Sequence, residues 1–456
     1  MVFGLFKKEA AADIIFMGGT IYTQNPDMPS AGAVACKDGL IIAVGDEDEI
    51  ASYKSRDTDI VDLDGGFLLP GFIDTGGHPV LRAFRETCLM LPMGISTDEL
   101  RTALTGYIAK NPDRQGYFAY GVSHTLFASM EPETAQALLD EICPDKYLAL
   151  FDTTGAQGWY NSVTIEEVTR IFIENRRAVA AARGEEEDED EAENAPPIHL
   201  LPMAFIFHAL SLVDFDRLSE AVVRLSAAYS EKGRTTIFDR GAPDYFHAVY
   251  QGILVEMLQN DFLKQRFIGS LLVTRDIKPE YMVNKLMQKK TDCMEIDDFM
   301  QFNAVRFLLD QGTGGKAGVS PGAYDVLSAL ASERGFAVHE DDAPCEYAAS
   351  NDHGILAKLP DTACASEAVD KLTLEAAEWL GISETRGSVT VNKKADFVIF
   401  REDPLACELN EFYNLSAAMT VLDGNIVFDA EEDTLEEWLE IAASEMSFSA
   451  EDEDDF

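Results

Sequence analysis

The sequence predicts an α/β protein: a layer or barrel of parallel strand-helix units, with a smaller β domain built from both chain ends. In the middle, short apolar runs alternate with helical stretches, the pattern of parallel βαβ units. At both ends, short β-like runs are broken by Asp-Gly and Gly-Gly pairs, the pattern of hairpins. The chain has 456 residues, 46% hydrophobic and 10% aromatic. That is enough to bury a sizeable core and too long for one small domain, so two domains are expected.

The elements follow in order. "ADIIFMGGTIYT", "GAVACKDGLIIAVGD" and "DTDIVDLDGGFLLPG" open the chain with β character. Lys37-Asp38-Gly39 marks a hairpin turn, because glycine tolerates the positive φ that tight hairpins demand. Buried strands are expected at "YLALFD", "TTIFD", "FIGSLLV", "AVRFLLD" and "FAVHE". Helices are expected at "ETAQALLDEI", "TIEEVTRIFIENRRAVAAA", "DRLSEAVVRLSAAYSEKG" and "AYDVLSALASERG", the last two ending at glycines suited to a left-handed cap. "GSVTVNKKADFVIF" and "SAAMTVLDGNIVFD" return to β character, with Asp423-Gly424 as another hairpin. The expected division is residues 1–68 with 385–430 as the β domain and 69–384 as the α/β domain, followed by an acidic helix and tail at 431–456. Seven consecutive acids fall within 184–197. This run and 449–456 are expected to be mobile surface segments, since crowded carboxylates repel and bury nothing.

Charge narrows the partners. Asp plus Glu number 81 against 36 Lys plus Arg, a formal net charge of −45. Such a chain repels phosphate backbones and anionic headgroups, so neither nucleic acid nor a membrane surface is an expected partner. Seven cysteines are scattered without a C-x-x-C pair. An odd count of isolated thiols fits a reducing compartment, and a cytoplasmic location is expected. No secretory leader or membrane-length apolar run is read from the sequence.

"LLPGFID" running toward His78, the βα middle, and "GSVTVNKKADFVIF" followed by Asp403-Pro404 together resemble the amidohydrolase superfamily. Within it, the chain is similar to the family 3 branch that includes N-substituted formamide deformylases, over residues 12 to 430. "TTGAQGWYNS" resembles that branch's second barrel strand and "GRTTIFDRG" its third. "AVRFLLDQGTGG" resembles the strand bearing a metal-bridging lysine, and "ERGFAVHEDD" one bearing a ligand histidine. The resemblance implies a TIM-like (β/α) barrel of the metal-dependent hydrolase type with a β-sandwich formed by the ends. It also implies hydrolysis of C–N, amide-type bonds by a water activated on one or two divalent metals, zinc or another, with an aspartate moving protons.

Against that pattern the chain departs at several positions. Where the family has the first histidine of a His-x-His pair stands Gly76, although His78 is kept. Ala156 replaces the second-strand histidine, while Trp159 and Asn161 remain as substrate-binding candidates. Arg306 replaces the lysine, and a guanidinium stays protonated and cannot form a carbamate ligand. His339 matches the next ligand histidine. Beyond it the chain is short of the family's length, with "ASNDHG" as the remnant that makes Asp352 a candidate acid. "GILAKL" is the one short strand expected before the "KLTLEAAEWLG" helix, so the barrel is expected to be shortened. Its open edge is expected to be covered by 345–373, a second copy in a homodimer, or a partner subunit.

The reading from sequence is therefore a degenerate amidohydrolase, a pseudoenzyme with no assigned cofactor. His78 and His339 are the metal candidates. Asp352, Arg306 and Asp310 are the catalytic candidates, the Arg306-Asp310 pair serving either as an anion site or as an internal ion pair. An active C–N hydrolase with a reduced metal site, binding a small amide-like ligand, and a binding or assembly subunit that keeps the scaffold are the alternatives.

Overall fold

The computed structural model describes residues 11–92, 94–122, 126, 129–153, 155, 157–183, 196–293, 298–310, 318–341, 359 and 361–445. The expectations for 184–195 and 449–456, for the strand "GILAKL" apart from Leu359, and for Ala156 and Asp352 lie outside these residues.

The strands are β1 (Ile14–Met17), β2 (Thr20–Tyr22), β3 (Ser30–Ala31), β4 (Ala33–Lys37), β5 (Leu40–Gly45), β6 (Asp59–Asp62), β7 (Phe67–Pro70) and β8 (Phe72–Asp74). They continue with β9 (Leu89–Met90), β10 (Gly116–Val122), β11 (Tyr147–Asp152), β12 (Gly158–Tyr160), β13 (Arg234–Phe238), β14 (Arg266–Val273), β15 (Met300–Leu308) and β16 (Ala337–Asp341). The last three are β17 (Phe397–Phe400), β18 (Met419–Leu422) and β19 (Asn425–Asp429).

The chain ends do come together. One sheet runs β5-β4-β1-β6, and a second runs β19-β18-β17-β7-β2-β3, mixing strands from both ends. Phe16, Val34, Ile41, Leu68, Phe397 and Val421 share one apolar cluster across the two. The β4–β5 and β18–β19 hairpins turn through Asp38-Gly39 and Asp423-Gly424, all four residues at positive φ. That backbone matches the right-handed twist of the flanking strands, which is why Asp-Gly stands at both places.

Gly71 is where the chain leaves this part for the next. Its amide donates to the Asp396 carbonyl, and the following Phe72 amide donates to the Gly233 carbonyl, so the chain changes sheets within one residue. A Cβ on Gly71 would lie 2.3 Å from Thr235 Oγ1, a distance no side chain tolerates.

β8 begins a five-stranded sheet ordered β8-β13-β14-β15-β16, parallel throughout. The helices Asp244–Gln259, Pro279–Asp292 and Pro321–Glu333 connect successive strands. Strand order that advances in one direction with right-handed crossovers puts all the connecting helices on one face. Phe267, Phe302, Val305 and Phe307 accordingly pack outward with Phe246, Ile253, Met282, Leu286 and Leu327. This is the arrangement of part of a (β/α) barrel: this sheet has five parallel strands among the described residues, against eight in a full one.

The opposite face is not a lumen. Ile73, Phe238, Ile268 and Ala304 pack against Ala376, Ala377, Leu380 and Ile382. The helix expected at "KLTLEAAEWLG" is two helices, Ala365–Leu372 and Leu374–Trp379, parted at Thr373. Both pack against β8, and the second, with Leu380 and Ile382, covers the inward face, so this cover comes from the chain itself.

One sequence expectation is corrected here. β11 and β12 do not continue the parallel sheet; they belong to a separate sheet ordered β12-β11-β10-β9, and β12 runs antiparallel to β11. "GRTTIFDRG" is thus the second strand of the five-stranded sheet, paired directly to β8, and residues 75–233 form an excursion between the first two strands. Motif order survived while the spatial role of the intervening motif did not, because a hydrogen-bonding partner is not written in the local pattern.

An ionic cluster ties the parallel sheet to the end-derived one. Arg266 opens β14 and reaches Asp396 at 2.7 Å, Asp423 at 2.5 Å and Asp298 at 3.2 Å. Asp298 also meets Arg386 and Lys394, each at 2.5 Å, and Lys394 lies 3.1 Å from Asp423. Burial pushes the Asp298 carboxyl up, but Arg266, Lys394 and Arg386 outweigh it and hold the group down at about 2. Because that value is below the unfolded-chain value, the stabilisation is present above about pH 4 and is lost as the pH falls through about 2. Arg266→Met, which takes one partner from each of three carboxylates, is expected to cost about 3–5 kcal/mol in a urea denaturation series. A midpoint unchanged from wild type would show the cluster to be dispensable.

Candidate functional site

In parallel α/β sheets functional groups collect beyond the carboxyl ends of the strands. At that end β8 finishes at Asp74, whose Oδ1 accepts the Gly76 amide at 2.9 Å. Gly77 then accepts the Arg240 amide at its carbonyl, 3.3 Å away, and His78 starts the helix Pro79–Phe84. A Cβ on Gly77 would meet Asp74 at an ordinary 3.5 Å, so close backbone approach does not require glycine there.

His78 is buried, 3% exposed, and hydrogen-bonds the backbone of Gly241. Desolvation, then Arg240 and Arg306, push its imidazole down to about 3, so it is neutral at physiological pH. His339 stands in register beside Arg306 across β15 and β16. Burial, Arg306 and Arg240 push His339 down to about 4. The structure thus places His78 and His339 within the electrostatic reach of both Arg306 and Arg240.

Around His339 the surroundings are aromatic. Trp379 stacks on the imidazole with ring centres 3.8 Å apart, and Phe238 meets both rings edge-on at 5.7 and 5.4 Å. Trp379 itself is 44% exposed, so the stack opens to solvent.

Asp239 lies one residue past β13, fully buried. The Gly241 amide donates to its Oδ2 at 3.2 Å. Gly241 has φ +98°, and a Cβ there would sit 2.6 Å from Leu272 Cβ, so this turn needs glycine. Burial pushes the Asp239 carboxyl up to about 7 against the pull of the Gly241 amide and of Arg306.

The remaining candidates are placed elsewhere. Asp310 lies past the end of β15, its amide donating to the Val319 carbonyl. Trp159 packs in the apolar cluster of the β10–β11 sheet with Leu150 and Leu139. Asn161 is fully buried; its amide group donates to the Cys143 and Lys146 carbonyls and its Oδ1 accepts from Leu148 and Thr164. With its donors and acceptor engaged this way, Asn161 staples a loop to β11, and this bonding explains why an asparagine stands there. His247 is buried between Phe267 and Phe302 on the outer face, away from the strand ends.

Asp239, Arg240 and Trp379 are site residues that the sequence reading passed over. The signal for the first two was available: "FDRG" directly follows a buried parallel strand, where the chain enters the carboxyl-end face. Nothing local marked Trp379, which reads as one more residue of an amphipathic helix.

The fold and this site define a class: a partial (β/α) barrel of metal-hydrolase type with groups converging at its carboxyl end. The family model described as "Amidohydrolase family" matches residues 59–353 and 356–428, and the chain belongs to that family. It is 27% identical over 165 residues to the exoenzymes regulatory protein AepA of Pectobacterium carotovorum subsp. carotovorum, covering 36% of each chain. It is 25% identical over 160 residues to the N-substituted formamide deformylase of Arthrobacter pascens, covering 34% of this chain and 29% of that one. The match to Protein LONG AFTER FAR-RED 3 of Arabidopsis thaliana is 23% over 233 residues, half of this chain and 38% of the other. The chain thus matches about a third of the length of these relatives. An uncharacterized metal-dependent hydrolase from Pyrococcus horikoshii OT3 aligns over 87% of this chain and 99% of its own, with 13% identity and a TM-score of 0.48.

Family chemistry calls for a divalent metal here, and the described residues do not fit one. Among the described residues no group of three or more His, Cys, Asp or Glu side chains is arranged to hold a metal ion. The two neutral imidazoles are acceptable ligands in themselves, but a useful zinc site needs three or four. The Arg306 guanidinium beside His339 adds a fixed positive charge where a cation would have to sit.

The raised Asp239 carboxyl gives a test of this electrostatic picture. A carboxyl that ionises near pH 7 when folded and near pH 4 when unfolded makes the fold lose stability as pH rises from about 4 through 7. Asp239→Asn keeps the acceptor for Gly241 but cannot ionise. Its melting temperature is expected to exceed wild type at pH 8, with the difference closing toward pH 4. Parallel pH profiles for the two proteins would refute the buried, protonated carboxyl.

Proposed function

We propose that this protein keeps the amidohydrolase scaffold but does not carry out metal-dependent hydrolysis of C–N bonds, its carboxyl-end site having become a binding site. The observation that carries this reading is Arg306, a guanidinium beside His339 that also depresses His78 and His339 together with Arg240. Losing one metal ligand can be compensated. Glycine at the first histidine position combined with arginine at the lysine position lowers the coordination number on which water activation depends. AepA, named as a regulatory protein, lends the reading support from a relative.

Two structural proposals accompany it. The two end-derived sheets, with their shared cluster, act as one β-sandwich domain formed by residues 1–68 and 385–430. The six described cysteines are free thiols, which favours a reducing, cytoplasmic setting.

The test is a screen of N-formyl amines and N-acyl amino acids with added zinc or manganese, alongside metal analysis of protein purified from supplemented medium. No turnover and well under one metal per chain are expected, and Arg306→Lys alone is expected not to restore activity. Turnover that disappears in His78→Ala, with about one tightly held metal, would overturn the proposal.

A further inference from the structure

His247 takes no part in the site described above. It lies one turn into the helix Asp244–Gln259, 2% exposed, and neither Nδ1 nor Nε2 has a hydrogen-bond partner among the described residues. Phe267 and Phe302 face the ring, with centres 5.7 and 5.6 Å away. Nε2 lies 2.8 Å from where a side chain on Gly269 would begin, so that glycine lets the imidazole sit directly on β14. A neutral imidazole has one N–H to donate and one nitrogen to accept, and enclosing both among aromatic rings is a costly way to fill space. A protonated ring, with two donors and a full charge, fits these surroundings far worse.

The charges around it do not relieve that. Asp244, on the same helix, is the carboxylate that favours the charged ring, but it is already held by Lys285 at 3.2 Å and Lys289 at 3.4 Å from the helix Pro279–Asp292. Lys289 Nζ also stands 5.5 Å from the centre of the Phe302 ring, and it opposes a charge on His247. Tyr250 on the same helix stacks on Phe267, and Cys293 accepts from Gln251. The helices Pro79–Phe84 and Phe215–Glu231 pack on this helix too and carry Arg82 and Tyr229, neither of which shifts His247. Burial first and Lys289 second thus push the imidazole down to about 3, against Asp244. Because that lies below the ordinary value of 6.5, the docked ring loses stability relative to an exposed one as pH falls below 6.5, down to about 3.

We infer that His247 is an acid-sensitive latch: protonation of its ring undocks the first turns of the helix Asp244–Gln259 from β14 and β15 while the strands stay paired. The strands have their own ladder and do not depend on the helix for it. Asp239, three residues before Ala242 and Pro243 lead into the helix, stays with the sheet: its amide donates to the Ile268 carbonyl at 2.9 Å, and its carbonyl accepts the Ser270 hydroxyl at 2.7 Å. Its raised carboxyl titrates in the opposite sense between about pH 4 and 7, so an opening that released both groups would show little net pH dependence there. The acid-sensitive opening is therefore the one confined to the helix, a local event of the kind that precedes global unfolding. The helix follows directly on Asp239-Arg240-Gly241, and Gly241 is the backbone partner of His78, so the latch loosens one boundary of the candidate site in acid.

Hydrogen exchange on the full-length protein at pH 7.5 and 5.5, corrected for the intrinsic pH dependence of exchange, tests the latch. An exposed ring that takes up its proton near 6.5 makes opening about tenfold more frequent at the lower pH. Amides across residues 244–252 are expected to lose protection by that factor, while those of β14 and β15 keep theirs. His247→Leu, which cannot ionise, is expected to abolish the change, and His247→Met is a second apolar replacement should leucine not pack. A titration of the His247 ring by NMR in the wild-type protein needs no variant: the native ring is expected to stay neutral between pH 5 and 8. Protection that does not fall in the wild type, a fall of the same size in a folded apolar variant, or a native ring that titrates near 6.5 while its helix stays protected overturns the inference.

Discussion

The architecture depends on one buried charge cluster. Arg266, at the first position of β14, is almost fully enclosed, and the carboxylates around it come from three different places: Asp298 before β15, Asp396 before β17 and Asp423 in the β18–β19 hairpin. A guanidinium cannot shed its charge, so burying it without these acids would be prohibitive. The cluster therefore fixes how the parallel sheet sits on the end-derived sheets. Removing a partner destabilises strongly because a buried charge is left uncompensated; the net worth of the intact cluster relative to an apolar one is a separate and smaller quantity. Its use is in register: only one docking of the two sheets brings six charges into pairs.

From that anchor the sheet extends to its opposite, carboxyl end, where the candidate site lies. At the amino end cations are matched by carboxylates at 2.5 to 3.2 Å. At the carboxyl end Arg240 and Arg306 act on histidines whose burial keeps them neutral, and on one carboxyl that burial pushes up. The same residue type thus holds the fold at one end and conditions the site at the other. Inside, the helix Leu374–Trp379 supplies Ala376 and Ala377 to the inward face, small side chains that let it sit close to the strands. A closed barrel fills this space with layers of its own strand side chains; here a helix from later in the chain does it, and in doing so delivers Trp379 to His339.

Much of this was legible in the sequence, for identifiable reasons. Strand "YLALFD" matches β11 residue for residue, and Gly233 and Gly335 take the positive φ expected past their helices, because these are local effects of apolar runs and backbone permissiveness. Asp-Gly hairpins are equally local. The placement of β11 and β12 was not legible: which strand pairs with β8 depends on a contact far along the chain, between Phe72 and Arg234. Asn161 shows the same limit at a single side chain. Its survival in a family motif suggested ligand contact, while its bonds to Cys143, Lys146, Leu148 and Thr164 show a loop clamp. A motif residue can persist for the backbone it organises.

Arg306 stands where the resemblance to the family expects a lysine, on a sheet that is otherwise of the family's kind. Lysine at that position can be carboxylated into an anionic metal ligand; arginine offers only donors and a permanent positive charge. The exchange alters the chemistry offered at that strand end without any change in the sheet that presents it. His78 and His339 need not change either, since a neutral imidazole can coordinate a metal or hydrogen-bond to a carboxylate equally well. The proposed loss of hydrolysis rests on Gly76 and Arg306 together rather than on either alone, and Trp379 stacks on His339, the cross-strand neighbour of Arg306. The scaffold supplies position, and the kind of ligand it can hold is set by the side chains mounted on it.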